Sequence, residues 1–396
     1  MKKQSNAPQI RFQNFEDEWV KQSLGKTVEI IMGQSPDSKN YTDNPNDYIL
    51  VQGNADMQNG RVIPRVWTTQ VTKLAEKGDL ILSVRAPVGD IGKTDYNVVL
   101  GRGVAAIKGN EFLFQLLTKM KQSHYWSKFS TGSTFESINS NDIKSAEIYL
   151  PSIEEQSAIG SLFRTLDDLL ASYKDNLANY QSLKTTMLSK MFPKAGQTVP
   201  EIRLDGFEGD WELLEINDLA DDFQSGGTPK TNVQEYWNGN IPWIQSSDLE
   251  TNCLFETKVQ KSISEKGLKN SSAKIIPKDS IAVVTRVGVG KLAVMRHEYA
   301  TSQDFLSFSN LKSNIEFTAY LLYRLLQKEV TQLQGTSIKG ITKVELLSKK
   351  VLIPSLPEQQ AIGAYFSNLD NLINSYQEKI SQLETLKKKF LQDMFI

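Results

Sequence analysis

The clearest pattern along the chain is a pair of long segments in which apolar residues recur at alternating steps of three and four. The first runs through Ile159, Phe163, Leu166, Leu170, Tyr173, Leu177, Tyr180, Met187 and Met191. The second runs through Ile362, Phe366, Leu369, Ile373, Tyr376, Ile380, Leu383, Phe390 and Met394. A 3.5-residue repeat held over about four heptads is a coiled-coil seam, and two matched copies in one chain predict an intramolecular antiparallel pair. Each segment opens on a helix-start signal, Ser152 with Glu155 and Ser355 with Glu358, in which each side chain caps the other's backbone amide. Pro357 suits a first helical turn. Lys184 and Lys387 occupy one and the same seam position, where an apolar residue is expected. Two readings stand: a helix end fraying into solvent, and a polar position that sets register.

Outside these segments the period shortens. Tyr48 to Val51, Leu80 to Val84, Asn97 to Ile107, Ile281 to Thr285 and Lys291 to Met295 are short β-like runs bounded by Gly, Asn and Pro. Helical stretches are predicted near Phe112 to Met120 and Ala319 to Gln334. The fold class expected is α/β: two mixed α/β domains, each with a strand-rich lobe, separated by the long two-helix coiled coil in a pseudo-twofold internal repeat.

The repeat is explicit in the sequence. Leu150 to Pro193 aligns without a gap to Ile353 to Ile396, with about 18 identities in 44 positions. Pro8, Ile10, Arg11, Phe15 and Trp19 match Pro200, Ile202, Arg203, Phe207 and Trp211, and Gly132-Ser133-Thr134 with Ile138 matches Gly335-Thr336-Ser337 with Ile341. The interiors share little beyond Val84-Arg85 to Gly89 against Thr285-Arg286 to Gly290. Phe192 to Pro200 carries linker chemistry. The expected division is a first domain over 1–150, a central helix over 151–193, a linker over 194–199, a second domain over 200–353 and a C-terminal helix over 354–396.

Composition removes several functions. A single cysteine, Cys253, excludes a disulfide framework or a cysteine-rich zinc site and fits a reducing compartment. With only His124 and His297, clustered imidazole chemistry has little to work with. No apolar run approaches a membrane span and Met1 to Gln9 lacks a signal-peptide core, so the expectation is a cytoplasmic chain without membrane contact. Formal net charge is -1, which taken alone argues against nucleic acid. That objection weakens if basic residues gather on one face or if partners grip the backbone.

Residue types suited to base edges and phosphates lie in the turns between predicted strands: Arg offers a fork to guanine, Asn and Gln one to adenine, and Ser, Thr and Lys hold phosphates. The candidates are Gln52, Asn54, Arg85, Arg102, Ser133 and Thr134 in the first domain. In the second they are Gln245, Ser246, Ser247, Arg286, Thr336, Ser337 and Lys339. Competing chemistry is thin. Val84 to Thr94 nearly spells a phosphate-binding loop but has Pro87 at its first required glycine, so strand-turn-strand is the default. Asp248 with Glu256-Thr257-Lys258 imitates a nuclease triplet and has no counterpart in the first half. No glycine-rich strand-to-helix turn of a methyltransferase cofactor domain is present. A scaffold whose coiled coil makes only protein contacts is the remaining alternative, and it would lack salt-sensitive, sequence-dependent affinity for duplex DNA.

The helix starts Pro151 to Ile159 and Pro354 to Ile362, the openings around Trp19 and Trp211, the Gly-Ser-Thr and Gly-Thr-Ser stretches and Ile241-Pro242-Trp243-Ile244 resemble the conserved regions of Type I restriction-modification specificity subunits. The resemblance covers essentially the whole chain and is weak inside the two variable domains. It implies a non-catalytic subunit whose two domains each read one half of a split, asymmetric site in double-stranded DNA, on opposite strands. It further implies docking of two modification subunits, which use S-adenosylmethionine to methylate adenine N6, and of two restriction subunits, which use ATP and Mg2+. No cofactor is expected in this chain itself. About 30 helical residues span ~45 Å against ~34 Å for a DNA turn, which brackets the spacer at roughly five to eight base pairs. In the first domain Tyr48 to Gln52 replaces the Ile-Pro-Trp-Ile pattern, leaving open whether Gln52 corresponds to Gln245.

Overall fold

The computed structural model describes residues 6–129, 137–332 and 340–396. The chain forms two compact units that do not follow its covalent halves: one comprises Met1–Asp175 with Glu378–Ile396, the other Asn176–Gln377. Two 38-residue helices, Ile153–Lys190 and Leu356–Asp393, contribute to both.

In the first unit a six-stranded sheet runs in the order Ile30–Met32, Val104–Ile107, Leu80–Ser83, Ile91–Lys93, Arg61–Val62, Met57–Gln58. A five-stranded sheet runs Tyr41–Thr42, Trp67–Thr68, Tyr48–Val51, Val98–Leu100, Leu74–Ala75. Successive side chains of a strand point to opposite faces. Leu80, Leu82, Ala105 and Ile107 therefore face a core built on the helix Glu111–Gln122, while Ile81, Val104 and Ala106 join Val51, Val98 and Leu100 in a second core. With both faces covered, these strands read as continuous apolar runs. The expected run Asn97 to Ile107 is in fact two strands in two sheets, broken at Gly101-Arg102-Gly103.

The second unit repeats this plan. A four-stranded sheet runs Ala220–Ser225, Phe305–Leu311, Ser280–Val284, Leu292–Met295, and a three-stranded sheet Lys261–Ile263, Trp237–Ile244, Ala300–Thr301. Ile281, Val283, Leu306 and Phe308 face the helix Ile315–Gln332, while Ala282, Val284 and Phe305 face the second core with Ile244 and Leu249. The mixed α/β fold class and the internal repeat are thus as the sequence predicts.

Within each unit one tryptophan centres the main core. Trp19 meets Phe112 and Phe395 at 5.6 and 6.4 Å, and Trp211 meets Phe317 and Phe192 at 5.9 and 6.0 Å. Phe192, which the sequence groups with the linker, is buried. The seam positions Ile159, Phe163, Leu166, Leu170, Ile362, Phe366, Leu369, Ile373 and Ile380 are buried, and Tyr173, Leu177 and Tyr376 are half-buried.

Three details of the long helices depart from expectation or decide between alternatives. Ser152 Oγ does accept the Glu155 amide at 3.2 Å, but the Glu155 carboxylate does not return to cap Ser152. It takes both forks of Arg11, each at 2.7 Å, and Glu358 takes Arg203 at 2.9 and 2.7 Å. A bidentate charge-assisted pair at a buried carboxylate outcompetes a single amide bond. That pairing explains why Arg11 and Arg203 recur in the two openings. Lys184 and Lys387 do not fray into solvent: Lys184 Nζ bonds Asp370 Oδ1 and Lys387 Nζ bonds Asp167 Oδ1, each at 2.5 Å. Asp370 also accepts the Tyr320 hydroxyl at 2.7 Å, and Asp167 accepts Gln115 Nε2 at 3.0 Å. Apolar neighbours at a lysine position are tolerated because the partner helix supplies a carboxylate there.

Candidate nucleic-acid interface

In the first unit the chain passes from one sheet to the other through Gly101-Arg102-Gly103. The Gly101 amide donates to Val51 O at 2.7 Å. A Cβ on Gly101 would lie 3.0 Å from Gln52 Cα, and one on Gly103 would lie 2.0 Å from Gln52 O. Only glycines let this turn press on Gln52, and Arg102 between them is left exposed. The Arg102 amide donates to Ser35 Oγ at 3.0 Å. Asp56 Oδ2 accepts the amides of Gln52 and Gly53 at 2.7 and 3.2 Å, which tightens the turn carrying Asn54. Arg85 follows the strand Leu80–Ser83 and is steadied by Ser83 Oγ donating to its carbonyl at 2.9 Å. Its turn closes at Gly89, where φ is +89° and an added Cβ would sit 2.4 Å from the Trp126 ring. Gln52, Asn54, Arg85 and Arg102 consequently line one depression of about 240 Å³.

The second unit uses the same frame. Thr285 N donates to Asp304 O at 2.8 Å as Val84 N does to Gly103 O at 2.9 Å, and Ser302 N donates to Ile244 O as Gly101 N does to Val51 O. Asp248 Oδ2 accepts the Gln245 amide at 3.1 Å. This register sets Arg85 and Arg286 at the same place; Gln52 and Gln245 each follow the strand end, but Gln245 opens the turn that Gly53 opens in the first unit, so the two glutamines part by one residue there. Arg286 lines a depression of about 910 Å³ with Gln303 and Lys343. Gln245 and Ser247 do not line it. Ser246 adjoins the Arg286 turn at Gly288, where an added Cβ would be 3.5 Å from its own; its carbonyl accepts Lys291 Nζ at 3.2 Å, and Gln245 Oε1 accepts Lys261 Nζ at 3.4 Å.

The electrostatics of these turns come from which arginines are paired. Of the ten arginines in the chain, Arg11, Arg61, Arg65, Arg164, Arg203, Arg296 and Arg324 are held by carboxylates or backbone carbonyls. Arg85, Arg102 and Arg286 are exposed, and among the described residues their guanidiniums have no hydrogen-bond or ion-pair partner. A chain of net charge -1 thus still presents fixed cations that no carboxylate among the described residues compensates, at one place in each unit.

Ser133, Thr134, Thr336, Ser337 and Lys339 lie outside the described residues. The described residues next to those segments sit at the arginines: Ser137 pairs with Arg85, and a Cβ on Gly340 would be 3.0 Å from Arg286 Cα. The enzyme-like motifs have other employment. Gly92-Lys93 lies in a strand antiparallel to Leu80–Ser83, so the phosphate-loop look-alike is a strand-turn-strand. Asp248 caps its own turn, and Glu256 Oε1 accepts Asn374 Nδ2 at 3.3 Å. Among the described residues no three His, Cys, Asp or Glu converge as a metal site, and no helix is long and apolar enough to cross a membrane. Sequence reasoning missed Ser35, Thr228 and Gln303. The glycines flanking Arg102 were a usable signal for its turn, whereas Gln303 has no flanking glycine to mark it.

The chain is thus a tandem of two copies of one α/β frame, each with an exposed arginine that has no partner among the described residues and a glutamine in the same depression. The family profile described as Type I restriction modification DNA specificity domain matches residues 16–179 and again 208–385, and the chain belongs to that family. The MjaX specificity subunit of Methanocaldococcus jannaschii is 35% identical over 162 residues, 39% of this chain and 38% of that one. The type I restriction enzyme MjaIX specificity subunit of the same organism is 28% identical over 194 residues, 47% and 44% of the two chains. These alignments span less than half the length of the relatives. The S subunit of a type I restriction-modification system from M. genitalium shares the fold over 98% of this chain and 99% of its own, with a TM-score of 0.65 at 15% identity. A chain from a structure of type I R-M complex assembly and conformational transition follows at TM-score 0.55 and 18% identity, covering 96% and 98%.

Proposed function

We propose that this chain is the non-catalytic DNA-specificity subunit of a Type I restriction-modification system and binds a bipartite, asymmetric target, one half-site per unit. The observation that carries the reading is the placement of Arg85, Arg102 and Arg286: exposed, without a partner among the described residues, and set beside Gln52 or on the turn that adjoins Ser246. Guanidiniums so placed suit phosphate oxygens and guanine edges, and a neighbouring glutamine suits adenine. Two modification subunits and two restriction subunits dock on the chain and supply adenine N6 methylation or ATP-dependent cleavage, together with S-adenosylmethionine, ATP and Mg2+. The unspecified spacer between half-sites is roughly five to eight base pairs, a bracket taken from the length of the long helices set against one DNA turn.

The test is genome-wide adenine methylation in cells carrying the chain with and without its modification subunit. A split motif, methylated on opposite strands only when both are present, is the expected result. Absence of methylation despite a competent partner, or a spacer longer than a full turn, would overturn the reading.

A further inference from the structure

Resting on that reading, we infer that one structurally equivalent position, Arg102 in the first unit and Gln303 in the second, is where the two readers are made to prefer different bases. The equivalence is fixed from both sides without a gap. Counting back, Gly103 O accepts Val84 N and Asp304 O accepts Thr285 N. Counting forward, Gly101 N donates to Val51 O and Ser302 N to Ile244 O. Arg102 and Gln303 are the single residues between these anchors.

The surroundings match as well. Gln34 N donates to Leu100 O and Gly227 N to Thr301 O, which sets Ser35 and Thr228 at one place. Ser35 Oγ accepts the Arg102 amide at 3.0 Å, and Thr228 Oγ1 donates to Gln303 Oε1 at 2.6 Å. One hydroxyl thus anchors the backbone under an arginine in the first unit and orients a glutamine amide in the second. The Thr228 hydroxyl occupies one lone pair of Oε1, leaving the other, with Nε2, for an external partner.

Two long polar positions are held in register in this frame and line both depressions, and one keeps its type, Arg85 with Arg286. An identical side chain in an identical place does not by itself make the two half-sites differ. The other changes from Arg to Gln, the two side chains whose bidentate geometries select guanine O6/N7 and adenine N6/N7 respectively. The base facing Arg102 is therefore a guanine in the first half-site, and the base facing Gln303 an adenine in the second.

The experiment is selection of a randomised duplex pool by the complex of this chain with its modification subunit, comparing wild type, Gln303→Arg and Arg102→Gln. Gln303→Arg is expected to convert one A·T pair of one half-site to G·C, with about ten- to a hundred-fold preference, and to leave the other half-site unchanged. Arg102→Gln is expected to do the reverse in the other half. If Gln303→Arg fails to assemble, Arg102→Gln carries the same test alone. An unchanged motif, changes scattered over both halves, or a loss of affinity equal across all sequences overturns the inference. In each of those cases a wild-type split motif still upholds the proposed function, whereas a wild-type complex that enriches no motif removes that function itself.

Discussion

Replacing Lys184 by methionine should be far more damaging than the conservative change in volume suggests. The Lys184 and Asp370 side chains are only 11% and 13% exposed, and the carboxylate also holds the Tyr320 hydroxyl at 2.7 Å. Burial, and next the negative charge of Asp370, push the Tyr320 phenol well above its ordinary range, so it remains a donor. Lys184→Met leaves Asp370 buried with one neutral partner. Removing one member of a buried ion pair costs about 3 to 5 kcal/mol. With a urea dependence of about 3 kcal/mol per molar, the unfolding midpoint should fall by about 1 to 1.7 M. Lys174 with Glu384 is the internal control: it is also a cross-helix pair, at 2.7 Å, but both side chains are 51% exposed. Lys174→Met should therefore move the midpoint by less than about 0.3 M, the effect of at most about 1 kcal/mol. The double change Lys184→Met with Asp370→Leu should recover part of the loss, because an apolar pair leaves no stranded charge while the buried Tyr320 hydroxyl gives up its acceptor at about 1 to 3 kcal/mol. Urea unfolding followed by far-ultraviolet circular dichroism decides the matter. Equal midpoints for Lys184→Met and Lys174→Met, or no recovery in the double variant, would refute the account of these lysines as buried locking positions.

Other perturbations have equally definite outcomes. Phe395→Ala removes a ring packed against Trp19, Phe112 and Phe163 and should lower stability by about 3 to 5 kcal/mol, read from the same unfolding curves. Gly89→Ala combines φ +89° with a clash against Trp126, so it should weaken DNA binding through displacement of Arg85 as well as destabilise the unit by roughly 1 to 3 kcal/mol or more. Arg286→Ala should reduce the salt slope of DNA binding by about one, measured by titration at several ionic strengths. Glu201, hydrogen-bonded first by Lys194 and then by Lys190, has its carboxyl held down at about 2. Its pairing is present above the ordinary glutamate range and lost as pH falls through about 2. Carboxyl resonances should show it ionised at about pH 3, with a midpoint that climbs towards the ordinary glutamate value of about 4.3 in Lys190→Ala with Lys194→Ala.

Much of the fold was legible because its signals are dense and local. The seam periodicity and the repeat of Leu150 to Pro193 in Ile353 to Ile396 needed no long-range information. The helix starts were located, but their glutamates were misassigned, because Arg11 lies 144 residues from Glu155. Likewise the fate of Lys184 rests on Asp370, 186 residues away on the other long helix. At the candidate interface, residue chemistry picked out the three arginines that lack partners among the described residues. What the chemistry could not reveal was equivalence. The interiors of the two units have diverged in side chains while keeping the backbone hydrogen bonds that bring Arg102 and Gln303 to one position, and a register of that kind is written in geometry rather than in residue identity.

The first unit is completed by Leu391, Met394 and Phe395, which lie in the same core as Trp19, Phe112 and Phe163. On the ribosome this core stays open after residue 175 has emerged, until roughly 200 further residues have been made. At about 5 to 20 residues per second that is a wait of roughly 10 to 40 seconds, with an apolar cleft exposed at Trp19. The second unit, contiguous from Asn176 to Gln377, is complete sooner after its own synthesis begins. The N-terminal portion of this chain should therefore be the last to close, and the part of the nascent protein most in need of a chaperone.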